Sequence, residues 1–73
     1  MRQINTSIII WAVACVNEFA RSHGLSPKAA FQYLFTYGGI DFLTEHYEAE
    51  HTLSLDDTIE DLGFVCRSKG GHL

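Results

Sequence analysis

Basic residues are scarce in this chain and absent from its middle. Five Lys and Arg stand against nine Asp and Glu, for a net charge of −4. No Lys or Arg falls between Lys28 and Arg67, whereas Asp41, Glu45, Glu48, Glu50, Asp56, Asp57, Glu60 and Asp61 all do. A field of one sign repels phosphate backbones and favours basic partners. Nucleic acid is therefore not expected as a ligand, and a partner with a basic patch is. The alternative is that these acids form a solvated helix face. Cysteine is equally sparse: Cys15 and Cys66 both lie in apolar stretches, and no CxxC pair exists. That argues against a disulfide bridge and a thiolate zinc site, and leaves two small hydrophobes expected to be buried. Long apolar runs are missing too. Ile8 to Val16 is the longest, about half of the roughly 18 residues that suggest a membrane span. Met1-Arg2 is followed by polar Gln3, Asn5, Thr6 and Ser7, which is unlike a secretory leader. The expected compartment is the reducing cytoplasm.

What is present reads as helix. The chain has 73 residues, 47% of them hydrophobic, so disorder is excluded and one domain, 1–73, is expected. Asn5, Thr6 or Ser7 can cap a first helix that Gly24 ends. Ile8, Trp11, Ala12, Cys15, Val16, Phe19 and Ala20 recur along it at helical spacing. Ser26-Pro27 starts a second helix, with Ser as cap and Pro where no hydrogen bond is lost. Ala30, Phe31, Leu34 and Phe35 are expected to face inward until Gly38-Gly39 stops it. A third helix is predicted from Ile40 to about His51, with Ile40, Leu43 and Tyr47 on one stripe and Phe42, His46, Ala49 and Leu53 on another. Ser54 with Asp57 resembles a capping box for a fourth, whose inner face would be Leu55, Ile59, Leu62 and Cys66. The predicted fold class is all-α, a small bundle or orthogonal array of about four helices.

Chemistry-bearing constellations are weak. His46 and Glu50 are four apart and would share a helix face, as a metal pair does, but His51 lies about 140° round from His46. A metal-binding protein using His46, Glu50 and His51 is the alternative reading; no metal or other cofactor is the primary one. Neither cysteine has an adjacent base, and Ser26 and Ser54 are used as caps. The acids Asp56-Asp57 and Glu60-Asp61 read as a solvated face rather than an acid/base dyad. Catalysis is not expected. A helix-turn-helix DNA binder, suggested by the turn from Gly24 to Pro27, is opposed by a second helix whose sole basic residue is Lys28.

The informative excess is hydrophobic. Ile8 to Val16 is apolar all round, more than one inward stripe uses. Either this helix is central and covered on every side, or part of it is an interface. The expected interface comprises Ile8, Ile9, Trp11, Val13 and Phe35, with a homodimer as its simplest product, and Asp56, Glu60 and Asp61 form a second, acidic contact face.

Short motifs add a resemblance. Tyr37-Gly38-Gly39-Ile40-Asp41-Phe42-Leu43, then Tyr47-Glu48, His51-Thr52 and Asp57 through Asp61-Leu62, resemble a family of small bacterial proteins catalogued as a domain of unknown function. Ser26, Lys28, Phe31 and Leu34 are similar to its middle segment, and the likeness runs from about Asn5 to Lys69. Tyr47, His51 and Thr52 would be its signature positions. The first helix departs from the family pattern in being more hydrophobic, with Trp11 among its apolar residues. The resemblance implies a gene beside proteins like ADP-ribosyltransferase toxins, hence a toxin–antitoxin or phage-defence setting, and assigns no activity.

Overall fold

The computed structural model describes residues 5–73; Met1 to Gln3, on which the reading of a leaderless N-terminus partly rests, lie outside them. Asn5 is the cap of α1 (Thr6–His23), its side chain accepting from the Ile8 N–H at 3.0 Å. Gly24 ends α1 in the left-handed conformation, φ 66°. The Leu25 N–H then reaches back to the Ala20 carbonyl at 2.8 Å, the closing bond of a Schellman end. Ser26 caps α2 (Pro27–Thr36) by accepting from the Ala29 N–H. Ser54 does the same for α5 (Leu55–Ser68) with the Asp57 N–H. All regular structure among the described residues is helical, as the apolar periodicity requires.

The predicted third helix is two. α3 (Gly39–Glu45) and α4 (Tyr47–Glu50) meet at His46, whose φ of −113° and ψ of 22° depart from helical values. The break re-aims the chain, so the two stripes expected from one continuous helix never form. Leu43 is buried, while His46, Ala49 and Leu53 are exposed. α4 is a single turn. It has no interior, and its terminal carbonyls need partners from outside the ladder.

α1 is the central element, touching α2, α3 and α5, while α2 and α5 each also pack on α3. The core is Cys15, Val16, Phe19 and Ala20 of α1, Ala30, Tyr33 and Leu34 of α2, Leu43 of α3, and Leu62 and Cys66 of α5. Full burial of a side chain such as Phe19 or Leu62 contributes roughly 1.5–3 kcal/mol each. Phe19 is stacked between His23 and Tyr33, with ring centroids at 4.1 and 5.7 Å.

Two inward faces differ from expectation by a rotation. On α2, Tyr33 is buried where Phe31 and Phe35 were predicted; those two are 47% and 67% exposed. Tyr33 is held in by its hydroxyl, which accepts from the Leu73 N–H at 3.0 Å as the C-terminal segment crosses back over α2. Gly71 makes this crossing possible, since a Cβ there would stand 2.3 Å from the Tyr33 hydroxyl. On α5, Thr58 is buried and Leu55 exposed, the reverse of their hydropathy. The Thr58 hydroxyl donates to the Glu50 carbonyl at 3.3 Å, which satisfies a buried hydroxyl and ties α5 to a carbonyl that also accepts the Leu53 N–H.

Candidate functional site

Packing α1 against α2 and α3 leaves a groove of about 550 Å³. Ile9, Val13 and Val16 of α1, Phe31 of α2 and Ile40 of α3 line it, and Lys28 is the single charged residue among the described ones that do. The small side chain of Ala12 lets the groove run between the helices, and buried Ile8 lies at the same surface. Beside the groove runs a ridge. Ile9, Ile10 and Val13 are 53%, 65% and 53% exposed, and Phe35 extends the apolar wall from Phe31, the two rings stacked at 6.0 Å. α1 is therefore not covered on every side. A contiguous face of large aliphatic and aromatic groups open to water is uncommon on a monomer.

The structure divides the residues predicted for this interface. Ile9, Val13 and Phe35 share the open face; Ile8 is buried. Trp11 does not join them: it lies two positions from both Ile9 and Val13, about 200° round the helix. Its ring instead meets the edge of Tyr47 at 5.3 Å. The sequence could not separate these residues, because a run that is apolar on every side carries no periodic signal. Ile10 and Phe31, which the sequence reading left out of the interface, belong to the exposed face.

The three positions expected to carry the family signature, Tyr47, His51 and Thr52, lie together at α4. Tyr47 is sandwiched, its ring stacked on His51 at 4.4 Å and edge-on to Trp11. His51 Nδ1 lies 2.7 Å from the Tyr47 carbonyl, and the Thr52 hydroxyl donates to the Ala49 carbonyl at 2.7 Å. Donation from His51 fixes the proton on Nδ1. The His51 ring adds a second donor to a carbonyl that already accepts the His51 backbone N–H, so His51 and Thr52 close the end of α4 and Tyr47 anchors it to α1.

His46, Glu50 and His51 do not converge. The ring of His46 lies on Phe42 at 5.0 Å, and His51 is engaged by Tyr47. Glu50 turns inward and is 8% exposed. Among the described residues no group of three or more His, Cys, Asp or Glu is arranged to hold a metal ion.

Glu50 is the polar residue that the sequence reading misjudged. Burial first, then the neighbouring, negatively charged Asp61 carboxyl, and more weakly Asp57, push its pKa up to about 7, against the opposing hydrogen bond of Thr58. Asp61 is thus half-buried against Glu50 rather than a fully solvated acid, while Asp56, Asp57 and Glu60 are exposed as expected. The inward turn of Glu50 follows from the break at His46, which no local composition announced. Nearby, burial and the charge of Glu50 push the Cys15 thiol up to about 12, and burial also raises Cys66. Both cysteines are free, buried and chemically quiet.

No helix among the described residues is long and apolar enough to cross a membrane. Comparison with curated proteins and with solved structures gives no significant match. The chain does match the family described as "Protein of unknown function (DUF3791)" over residues 11–69. That span runs from Trp11 in α1 through α5 to Lys69 and leaves Ile8, Ile9 and Ile10 before it. Covering most of the 73 residues, the match makes this protein a member of that family.

Proposed function

We propose that this protein is a non-enzymatic interaction module that pairs with a second copy of itself through the groove and ridge of α1, α2 and α3. The observation that carries the reading is the apolar groove flanked by exposed Ile9, Ile10 and Val13. Two features favour a second copy as the occupant. Ridge and groove lie side by side on one surface, so under a two-fold axis each ridge enters the other copy's groove, the self-complementarity an isologous dimer needs. Among the described residues the groove also carries no carboxylate, so two chains of net charge −4 can meet there without apposing their acids. A standard interface takes roughly 800 Å² from each partner, a modest share of the 4688 Å² that this chain exposes. Light scattering across the micromolar range is expected to give a mass twice the 8.2 kDa chain. A concentration-independent monomer would refute the dimer.

The dimer would present its acids outward as a component of a toxin–antitoxin or phage-defence system, bound to a basic protein encoded nearby and acting in the cytoplasm. Asp56 and Glu60, exposed on α5, are the contact residues in this reading. Rim charges act chiefly on association rate and its salt dependence. Reversing both to Lys should slow association with the neighbour-encoded protein about tenfold or more at low salt, the range over which steering acts. Equal rates and equal salt slopes for both forms would leave the acids as a solvated face.

A further inference from the structure

Glu50 poses a problem that the interaction surface does not address. It is more than nine-tenths buried, and its Oε1 has no hydrogen-bond partner among the described residues. An ionised carboxylate in that position bears both a desolvation cost and an unmade hydrogen bond. Among the described residues its surroundings supply no cation. From α5 it faces Asp61 and Asp57 together with the Thr58 hydroxyl, and from α1 the Cys15 thiol, which stays protonated throughout the physiological range. Arg21 of α1 is exposed and paired with Glu18, one turn earlier. Glu45 of α3 and Glu48 of α4 are exposed. His46 and His51, flanking α4, are exposed with their rings engaged by Phe42 and Tyr47.

A single proton resolves the arrangement. Placed between the Glu50 and Asp61 carboxyls, it turns a like-charge contact into a hydrogen bond and leaves one negative charge in place of two. What it secures is the least supported segment of the fold. α4 is one turn, bounded by the break at His46, and it is tied to the rest through Tyr47 on Trp11 and the Thr58 hydroxyl on the Glu50 carbonyl. We propose that residues 46–53 form a latch on α5, closed by a proton shared between Glu50 and Asp61 and opened when that proton leaves to water. Opening would detach Tyr47 from Trp11, exposing the indole on the side of α1 opposite the groove.

The direction with pH follows from linkage. The folded carboxyl keeps its proton up to about pH 7, whereas the unfolded one loses it near 4.5. Closure is therefore fully present below about pH 4.5, weakens as pH rises, and is lost once pH passes 7. Within that window the closed-to-open ratio falls by up to about tenfold per pH unit.

Carboxyl-carbon NMR titration of the whole chain, joined to hydrogen exchange corrected for intrinsic rates, tests this. The expected result is a Glu50 transition near neutrality, with protection of the Glu50, His51 and Leu53 amides falling across the same range. Glu50→Gln keeps the hydrogen bond without the charge and should hold that protection constant from pH 5 to 8. Asp61→Asn, which removes the repelling partner, should lower the Glu50 transition and keep the latch closed at pH 8. A Glu50 transition in the ordinary carboxylate range near pH 4.5 would overturn the proposal. So would a pH-dependent loss of protection that persists unchanged in Glu50→Gln.

Discussion

Glutamate introduced at both Ile9 and Val13 is expected to raise the dimer dissociation constant more than a hundredfold and leave a folded monomer. Both side chains are about half exposed in the single chain, so Ile9→Glu and Val13→Glu open no cavity in the core. Glutamate is a better helix former than either residue. α1 has no acid in its first turn, so a carboxylate at position 9, close to the positive end of the helix, is mildly favourable there. In the dimer the outcome reverses. Each ridge would carry two carboxylates into a groove whose lining offers one Lys and otherwise little but hydrocarbon. Desolvating a charge without a matched partner costs several kcal/mol per ion, and two-fold symmetry doubles every such cost. Sedimentation velocity and far-ultraviolet circular dichroism read the two effects separately. Native helicity with an unaltered dimer would remove the ridge from the interface.

Phe19→Ala should destabilise the fold by about 3–5 kcal/mol, the range for truncating a buried aromatic. Phe19 is completely buried at the crossing of α1 and α2 and stacks on both Tyr33 and His23. Its loss removes the surface on which Tyr33 rests, and Tyr33 in turn holds the C-terminal segment through Leu73. A domain this small has a stability of only about 5–15 kcal/mol to lose from. Urea denaturation followed by circular dichroism should show the midpoint falling steeply, and the variant partly unfolded at 37 °C. A shift below about 1 kcal/mol would mean that the site repacks and that the core is looser than its burial indicates.

The parts of this fold legible in the sequence are those set by local backbone chemistry. Gly24, Ser26-Pro27, Gly38 and Ser54 each punctuate the chain where expected, because capping and left-handed turns depend on a few neighbouring atoms. The inward faces of α1 were legible as well, since Cys15, Val16 and Phe19 recur at helical spacing. Departures arise where a long-range contact overrides hydropathy. Tyr33 is chosen over Phe31 by a hydrogen bond from Leu73, forty residues on. Thr58 is chosen over Leu55 by a carbonyl on α4. Likewise the break at His46 turned Glu50 from a surface acid into a buried one and separated it from the histidines it had been grouped with. For the candidate site the same holds. The excess of apolar surface was visible in Ile8 to Val16, but which of its residues share a face required the packing of α2 and α3.

An isotope-filtered NMR experiment on a mixture of labelled and unlabelled protein tests the central claim most directly. If two copies pair ridge into groove, cross-peaks should pass between chains from the Ile9 and Val13 methyls of one copy to the Phe31 ring and Ile40 methyls of the other. Trp11, on the far side of α1, should give none. A dimer whose intermolecular cross-peaks arise from Trp11 or from α5, or a mixed sample with no intermolecular cross-peaks at concentrations where light scattering reports a dimer, would contradict the account.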